Sequence, residues 1–170
     1  YDATIGERIG FGGALRHDDN DLFDDADTYR VQASYLFDSG TRLRAAAGSG
    51  IKNPGIFELF GFNPNSFIGN PDLKPERSEG WEVGVEQSFA DRSITVGATY
   101  FDSTLHDEIF TVFSFPSFIS SPANRTTRST QNGYELFLAA RLGSAWNIDA
   151  AYTKLHAREN VFRRRAVHRI

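Results

Sequence analysis

The 170-residue chain contains no cysteine, so a disulfide framework, a thiolate nucleophile and a Cys-based zinc site are all excluded. It has no apolar run near the length of about 18 residues that a membrane helix needs, and its mean hydropathy is only -0.39. Neither test detects a membrane-crossing β-strand, because such strands alternate apolar and polar residues. Positive charge is not in excess: 18 Lys and Arg against 22 Asp and Glu give a net charge of -4, without the basic patch that nucleic acid requires. His17, His106, His156 and His168 are scattered without ligand spacing, so no histidine metal site is expected, and no cofactor. The chain begins at Tyr1 rather than Met and stops in an arginine-rich stretch, so it reads as a fragment.

What is present is alternation. Seven stretches carry apolar residues with period two, and on each the apolar face holds no charge. Trp81, Val83, Val85 and Phe89 share one face with Gln87, while Glu82, Gly84, Glu86 and Ser88 share the other. The pattern places strands at Gly6 to His17, Tyr29 to Phe37, Leu43 to about Lys52, Trp81 to Phe89, Ile94 toward Phe110, Tyr134 to Leu142 and Trp146 to Tyr152. An eighth strand is expected to start near Arg163.

Short turns at Asp38 to Gly40, Ala90 to Ser93 and Gly143 to Ala145 alternate with long loops at 18 to 27, 52 to 77, about 115 to 124 and after His156. Outer-membrane barrels have short periplasmic turns and long extracellular loops, which would orient every strand here. A Lys or Arg on the lipid face at the midplane costs on the order of 2 to 4 kcal/mol, so charge-free outer faces carry meaning. Tyr35, Phe37, Trp81, Phe89, Tyr134, Trp146 and Tyr152 lie near strand ends, where amphipathic rings favour the membrane interface. Alternation alone also fits a soluble β-sandwich or lipocalin-like barrel whose core takes the same residues.

The segment from Gly69 to Glu86 distinguishes the two. Asn70 and Pro71 make a turn, Pro75 holds Lys74 extended, and the chain then enters the strand of Trp81. Asn70, Pro71, Leu73, Pro75, Glu76, Trp81, Glu82, Gly84 and Glu86 resemble the Asn-Pro-x-Leu-x-Pro-Glu segment and following strand of the TonB-dependent outer-membrane receptors. Gly50 to Phe60 is similar to the Gly-Phe-x-x-Pro segment of that family, with Ile51 in place of the aromatic. Asn132 to Glu135 resembles its Arg-Gly-x-Glu strand, and Arg163 to Arg169 its Arg-Arg-Pro-x-His-Arg, with Ala166 for Pro.

The resemblance implies an all-β fold: seven to eight strands of an antiparallel up-and-down transmembrane β-barrel of about 22 strands. It implies a bacterial outer-membrane receptor, not an enzyme, that imports a siderophore or cobalamin. Energy would come from the TonB complex through an N-terminal part outside residues 1–170, and a plug domain, also outside them, would fill the lumen. A passive porin and a soluble β-sheet binding module are the alternatives.

Two groups of residues are candidate sites. Phe57, Phe60, Phe62 and Phe67 in one long loop, and Phe113, Phe115 and Phe118 in the next, offer rings that stack on an aromatic or macrocyclic ligand, or pack the loops on each other. Asp18, Asp19, Asp21, Asp24 and Asp25 form an oxygen-rich loop that suits calcium, although a solvated acidic loop is the simpler reading and the spacing is not that of an EF-hand. Glu82 and Glu86 share the lumen face, where hydrogen bonds to a plug and to neighbouring arginines fit better than glycosidase chemistry.

Overall fold

The structure is a computed structural model that describes residues 2–159 apart from Pro64, Ala90, Arg92 and Ser144. In chain order its elements are β1 (Asp2–Ile5), β2 (Ile9–Asp18), β3 (Ala26–Leu36), β4 (Thr41–Lys52), α1 (Ile56–Phe60), β5 (Phe62–Asn63), β6 (Phe67–Ile68), β7 (Glu76–Phe89), β8 (Ile94–His106), β9 (Ile109–Ser114), β10 (Ile119–Asn124), β11 (Ser129–Leu142) and β12 (Trp146–Glu159). They form two sheets. β1-β2-β3-β4-β7-β8-β11-β12 make an eight-stranded antiparallel wall, and β5-β6-β10-β9 make a four-stranded sheet from the two longest loops.

The wall follows the expected alternation with three corrections. The first stretch is a hairpin rather than one strand: Gly6 turns at φ 61°, and β1 folds back so that Ile5 pairs with Ile9. β7, β11 and β12 extend farther toward the long loops than their apolar pattern does, starting at Glu76 and Ser129 and ending at Glu159. β8 stops at His106, where Asp107 adopts φ 53°, and the stretch toward Phe110 starts a strand of the second sheet. Part of the expected loop at 115 to 124 is likewise strand β10. The stretch beyond Glu159, including the expected eighth strand, lies outside the described residues.

Register assigns the faces. Phe11, Ala33, Ala45, Val83, Tyr100 and Tyr134 are cross-strand partners in one row, and Ile9, Tyr35, Leu43, Val85, Ala98, Leu136 and Tyr152 form the row below. Cross-strand partners project to the same side, so these rows form one continuous apolar face. Tyr35 and Phe37 touch edge to face near its lower margin. At its upper margin Trp81 meets Tyr100 at 5.6 Å and Tyr134 meets Tyr152 at 6.2 Å between ring centroids. From Phe89 to Trp81 a strand tilted by about 40° climbs roughly 20 Å, close to the apolar band of an outer-membrane barrel.

The opposite face is polar and studded with glycine, and two of its aromatic rings lie over glycines on the partner strand. A Cβ on Gly133 would meet the Phe101 ring at 2.9 Å, and one on Gly97 would meet the Phe137 ring at 2.1 Å. Such rings shield backbone that glycine leaves bare. The only buried hydrophobic residues among those described are Ala26, Leu59, Leu73 and Ala140, and both leucines belong to the loops. A soluble sandwich requires a core of large side chains between two sheets. This wall has none.

Candidate functional site

The four short turns, now including Gly6 to Arg8, lie at one end of the wall, and the three long connections lie at the other. Two of those connections dock onto each other and form a cap. Ser120 of β10 pairs with Phe67 of β6 in parallel, and both its backbone N–H and its hydroxyl donate to the Ser66 carbonyl, at 2.9 and 2.7 Å. α1 is latched beneath by hydrogen bonds from the Gly69 N–H to the Gly61 carbonyl and from the Asn70 N–H to the Glu58 carbonyl.

The Asn70-Pro-x-Leu-x-Pro-Glu76 motif is the clasp of this cap. The Asn70 side chain accepts from the Asp72 N–H at 3.0 Å and donates to the Pro122 carbonyl of the other loop at 3.1 Å. Leu73 is buried, at 3% exposure, and anchors the turn. Asn124 answers from β10: its amide accepts from the Lys74 N–H at 2.7 Å and donates to the Lys74 and Asp107 carbonyls at 2.9 and 2.6 Å. Glu76 accepts from the Ile109 N–H at 2.6 Å and pairs with Lys52 at 3.0 Å, tying β4, β7 and β9 at one point. Glu108 pairs with Arg125 and accepts from Ser129 at 2.6 Å, while the Arg125 guanidinium lies 4.7 Å from the Phe110 ring centroid. The clasping role of Asn124, Glu108 and Arg125 is not legible in the sequence, because it depends on pairing with residues far along the chain.

The remaining motif residues divide between the faces. Trp81 belongs to the outer aromatic margin, and Glu82 and Glu86 project inward. Gly84 clears a lane. Arg44 reaches from β4 across it to donate to the Thr99 hydroxyl of β8 at 2.7 Å, and a Cβ on Gly84 would stand 2.7 Å from the Arg44 Nε. Glu86 lies opposite Arg42 in register, yet among the described residues no ion pair holds Glu82 or Glu86. Gly84→Leu is expected to displace Arg44 and destabilise the wall by about 1 to 3 kcal/mol. Urea unfolding of the variant in detergent measures this, and stability equal to the parent would mean that Arg44 needs no lane.

The cap also groups the loop phenylalanines. Phe67, Ser120 and Phe113 are successive cross-strand partners and therefore share a face of the four-stranded sheet. The Phe57 ring stacks on Phe67 at 4.6 Å, and Phe118 meets both Phe113 and Phe115 edge to face, at 6.2 and 5.1 Å. Two aromatic groups thus flank Ser120, about 10 Å apart by strand spacing. Phe57, Phe113, Phe115 and Phe118 are all more than half exposed. Phe62 pairs with Ile68 and projects to the other face of the sheet, and Phe60 at the end of α1 is exposed without a ring partner among the described residues.

The acidic loop is held by local contacts. Asp18 pairs with Arg16 at 2.6 Å, Asp25 accepts from the Asn20 N–H at 3.2 Å, and no group of three acidic or histidine ligands converges among the described residues. Asp19, Asp21 and Asp24 share that loop without joining either contact.

A family model described as TonB dependent receptor-like, beta-barrel, matches residues 2–166. The chain belongs to this family. Membership places the wall in the bacterial outer membrane, with the short turns on the periplasmic side and the cap outside. Over 87 residues the chain is 37% identical to a vitamin B12 transporter, BtuB, of Photobacterium profundum, a match covering 50% of this chain and 14% of the transporter. Among solved structures it superposes on the siderophore receptor PirA of Pseudomonas aeruginosa with a TM-score of 0.80 at 19% identity, over 92% of this chain and 30% of that one. The copper transporter OprC gives a TM-score of 0.69 at 22% identity, over 91% and 27%. The chain therefore spans less than a third of these TonB-dependent relatives. Its barrel relatives are receptors and transporters rather than enzymes.

Proposed function

We propose that this segment is part of the wall and ligand-contacting cap of an outer-membrane receptor that imports a siderophore or cobalamin. It performs no chemistry of its own. Import would draw on the TonB complex through the N-terminal part of the whole protein, with a plug domain of the same chain filling the lumen beside Glu82 and Glu86. The observation that carries the reading is the pair of exposed aromatic groups, Phe57 with Phe67 and Phe113 with Phe115 and Phe118, presented on one sheet face. Rings about 10 Å apart suit a broad ligand with aromatic or macrocyclic parts better than a small ion. Of the relatives, the vitamin B12 transporter and the siderophore receptor fit this reading, whereas the copper transporter does not.

The test is substitution in the complete receptor. Phe57→Ala and Phe113→Ala each remove a ring contact worth about 0.5 to 1.5 kcal/mol beyond its buried area, so each should weaken binding by at least about twofold and the pair by at least about fivefold. Binding of ferric catecholate and of cobalamin is measured by tryptophan quenching, alongside gel mobility of the folded barrel. Unchanged affinity for whichever ligand the parent receptor binds, in a correctly folded double variant, would overturn the aromatic contact.

A further inference from the structure

The wall carries a second feature that ligand import does not use. On β12 the outward residues run Trp146, Ile148, Ala150, Tyr152 and then Lys154, His156, Arg158. The change from apolar to cationic comes one step above Tyr152, whose ring belongs to the upper aromatic margin. Register sets Lys154 opposite Tyr134, His156 opposite Asn132 and Arg158 opposite Thr130. The result is a two-by-three patch in which all six side chains offer hydrogen-bond donors: an ammonium, an imidazole, a guanidinium, a phenol, an amide and a hydroxyl. None of the six is a carboxylate. The nearest outward carboxylate on the described strands is Asp102 of β8, opposite Asn132 and therefore about 10 Å from His156.

Three observations bear on what this patch faces. The three basic side chains are exposed, and among the described residues none of them is held in an ion pair. The Lys154 ammonium sits 6.0 Å from the Tyr134 ring centroid, so the first cation of the run lies beside the aromatic margin itself. The patch also lies on the long-loop side of the band, at the depth where lipid headgroups begin. On the neighbouring strands the outward residues above the margin include Asp102, Thr104 and His106 of β8, Glu79 and Arg77 of β7 and Ser49 of β4, so an unbroken run of three basic residues is confined to β12.

We propose that the outward face of β11 and β12 above the aromatic margin binds the phosphate-bearing headgroup of an anionic lipid in the outer leaflet. Lys154 and Arg158 supply the charge, about 13 Å apart along the strand, and Asn132, Thr130 and His156 supply neutral donors between them. A headgroup with phosphates at two positions matches that spacing. Its acyl chains would descend over Tyr152, Ala150 and Leu138.

The experiment is native mass spectrometry of the complete receptor in dodecyl maltoside, titrated with diphosphoryl lipid A or with the same lipid stripped of phosphate. The parent should retain one phosphorylated lipid and release the stripped one. Lys154→Gln with Arg158→Gln should weaken retention by at least about tenfold, as expected for two juxtamembrane cations. Asp102→Asn on the adjoining strand should leave it unchanged. Gel mobility confirms that each variant folds. Equal retention by parent and double variant, equal retention of the stripped lipid, or displacement by inorganic phosphate at the lipid's own concentration would each overturn the proposal, the last by showing a free-anion site. The readout involves no transported ligand, so it stands apart from the import reading.

Discussion

Val83→Arg should destabilise the folded receptor by about 2 to 4 kcal/mol, the largest effect expected of any single substitution in the wall. Val83 is cross-strand partner to Ala45 and Tyr100, in the row of Phe11 and Ala33, and its side chain projects from the charge-free face. In the wall 46% of its surface stays exposed, to what in the membrane is hydrocarbon. An arginine there must either lose its hydration or drag water and headgroups toward the midplane. The adjacent residue provides the control. Glu82 projects into the lumen, so Glu82→Arg should shift the unfolding midpoint in urea far less. Equal losses at both positions would mean that the two faces have been assigned the wrong way round.

Asn124→Ala comes next. Its amide makes three hydrogen bonds to main-chain atoms of Lys74 and Asp107, and at about 1 kcal/mol each their removal costs up to about 3 kcal/mol of local stability. The loss falls on the joint between the two loops and not on the wall. Hydrogen exchange should accelerate across residues 69–76 and 107–124, while β7, β8 and β11 keep their protection. Asn124→Asp retains the acceptor toward the Lys74 N–H and loses both donors, so its exchange should fall between parent and alanine. Ligand affinity should decline in the same order, because the two aromatic groups flanking Ser120 would no longer be held at fixed separation. Exchange that rises uniformly through the barrel would show instead that the clasp supports the whole fold.

Much of this architecture was legible in the alternation, and its failures have a common cause. Between Trp81 and Phe89 the contrast between lipid and lumen writes period two into the residues, and the strand there was read correctly. Between Glu76 and Gly80 both faces meet water, so Arg77 and Glu79 outward and Ser78 and Gly80 inward carry no contrast, although the ladder continues. Ser129 to Gly133 and Lys154 to Glu159 lack that contrast as well, because above the aromatic margin neither face meets hydrocarbon. Gly6 was taken into a strand because the four residues of β1 are too short to show a period of their own. The cap was the least legible part. Its phenylalanines could be named as candidates, but which of them meet depends on a parallel pairing of Phe67 with Ser120, more than fifty positions apart. The Asn70 motif was recognisable by resemblance, whereas its partner Asn124 resembles any loop asparagine.

The overshoot of the strands beyond their aromatic margin sets where the receptor meets its surroundings. From Trp81 to Glu76 the wall continues about five residues past the membrane, which at the same tilt lifts the base of the cap by roughly 12 Å. The Debye length at physiological ionic strength is about 8 Å. An incoming solute therefore encounters the phenylalanines of the cap in a layer where the charge of the lipid surface is mostly screened. If those rings contact the ligand as proposed, capture at that height would select for shape and aromatic character more than for charge.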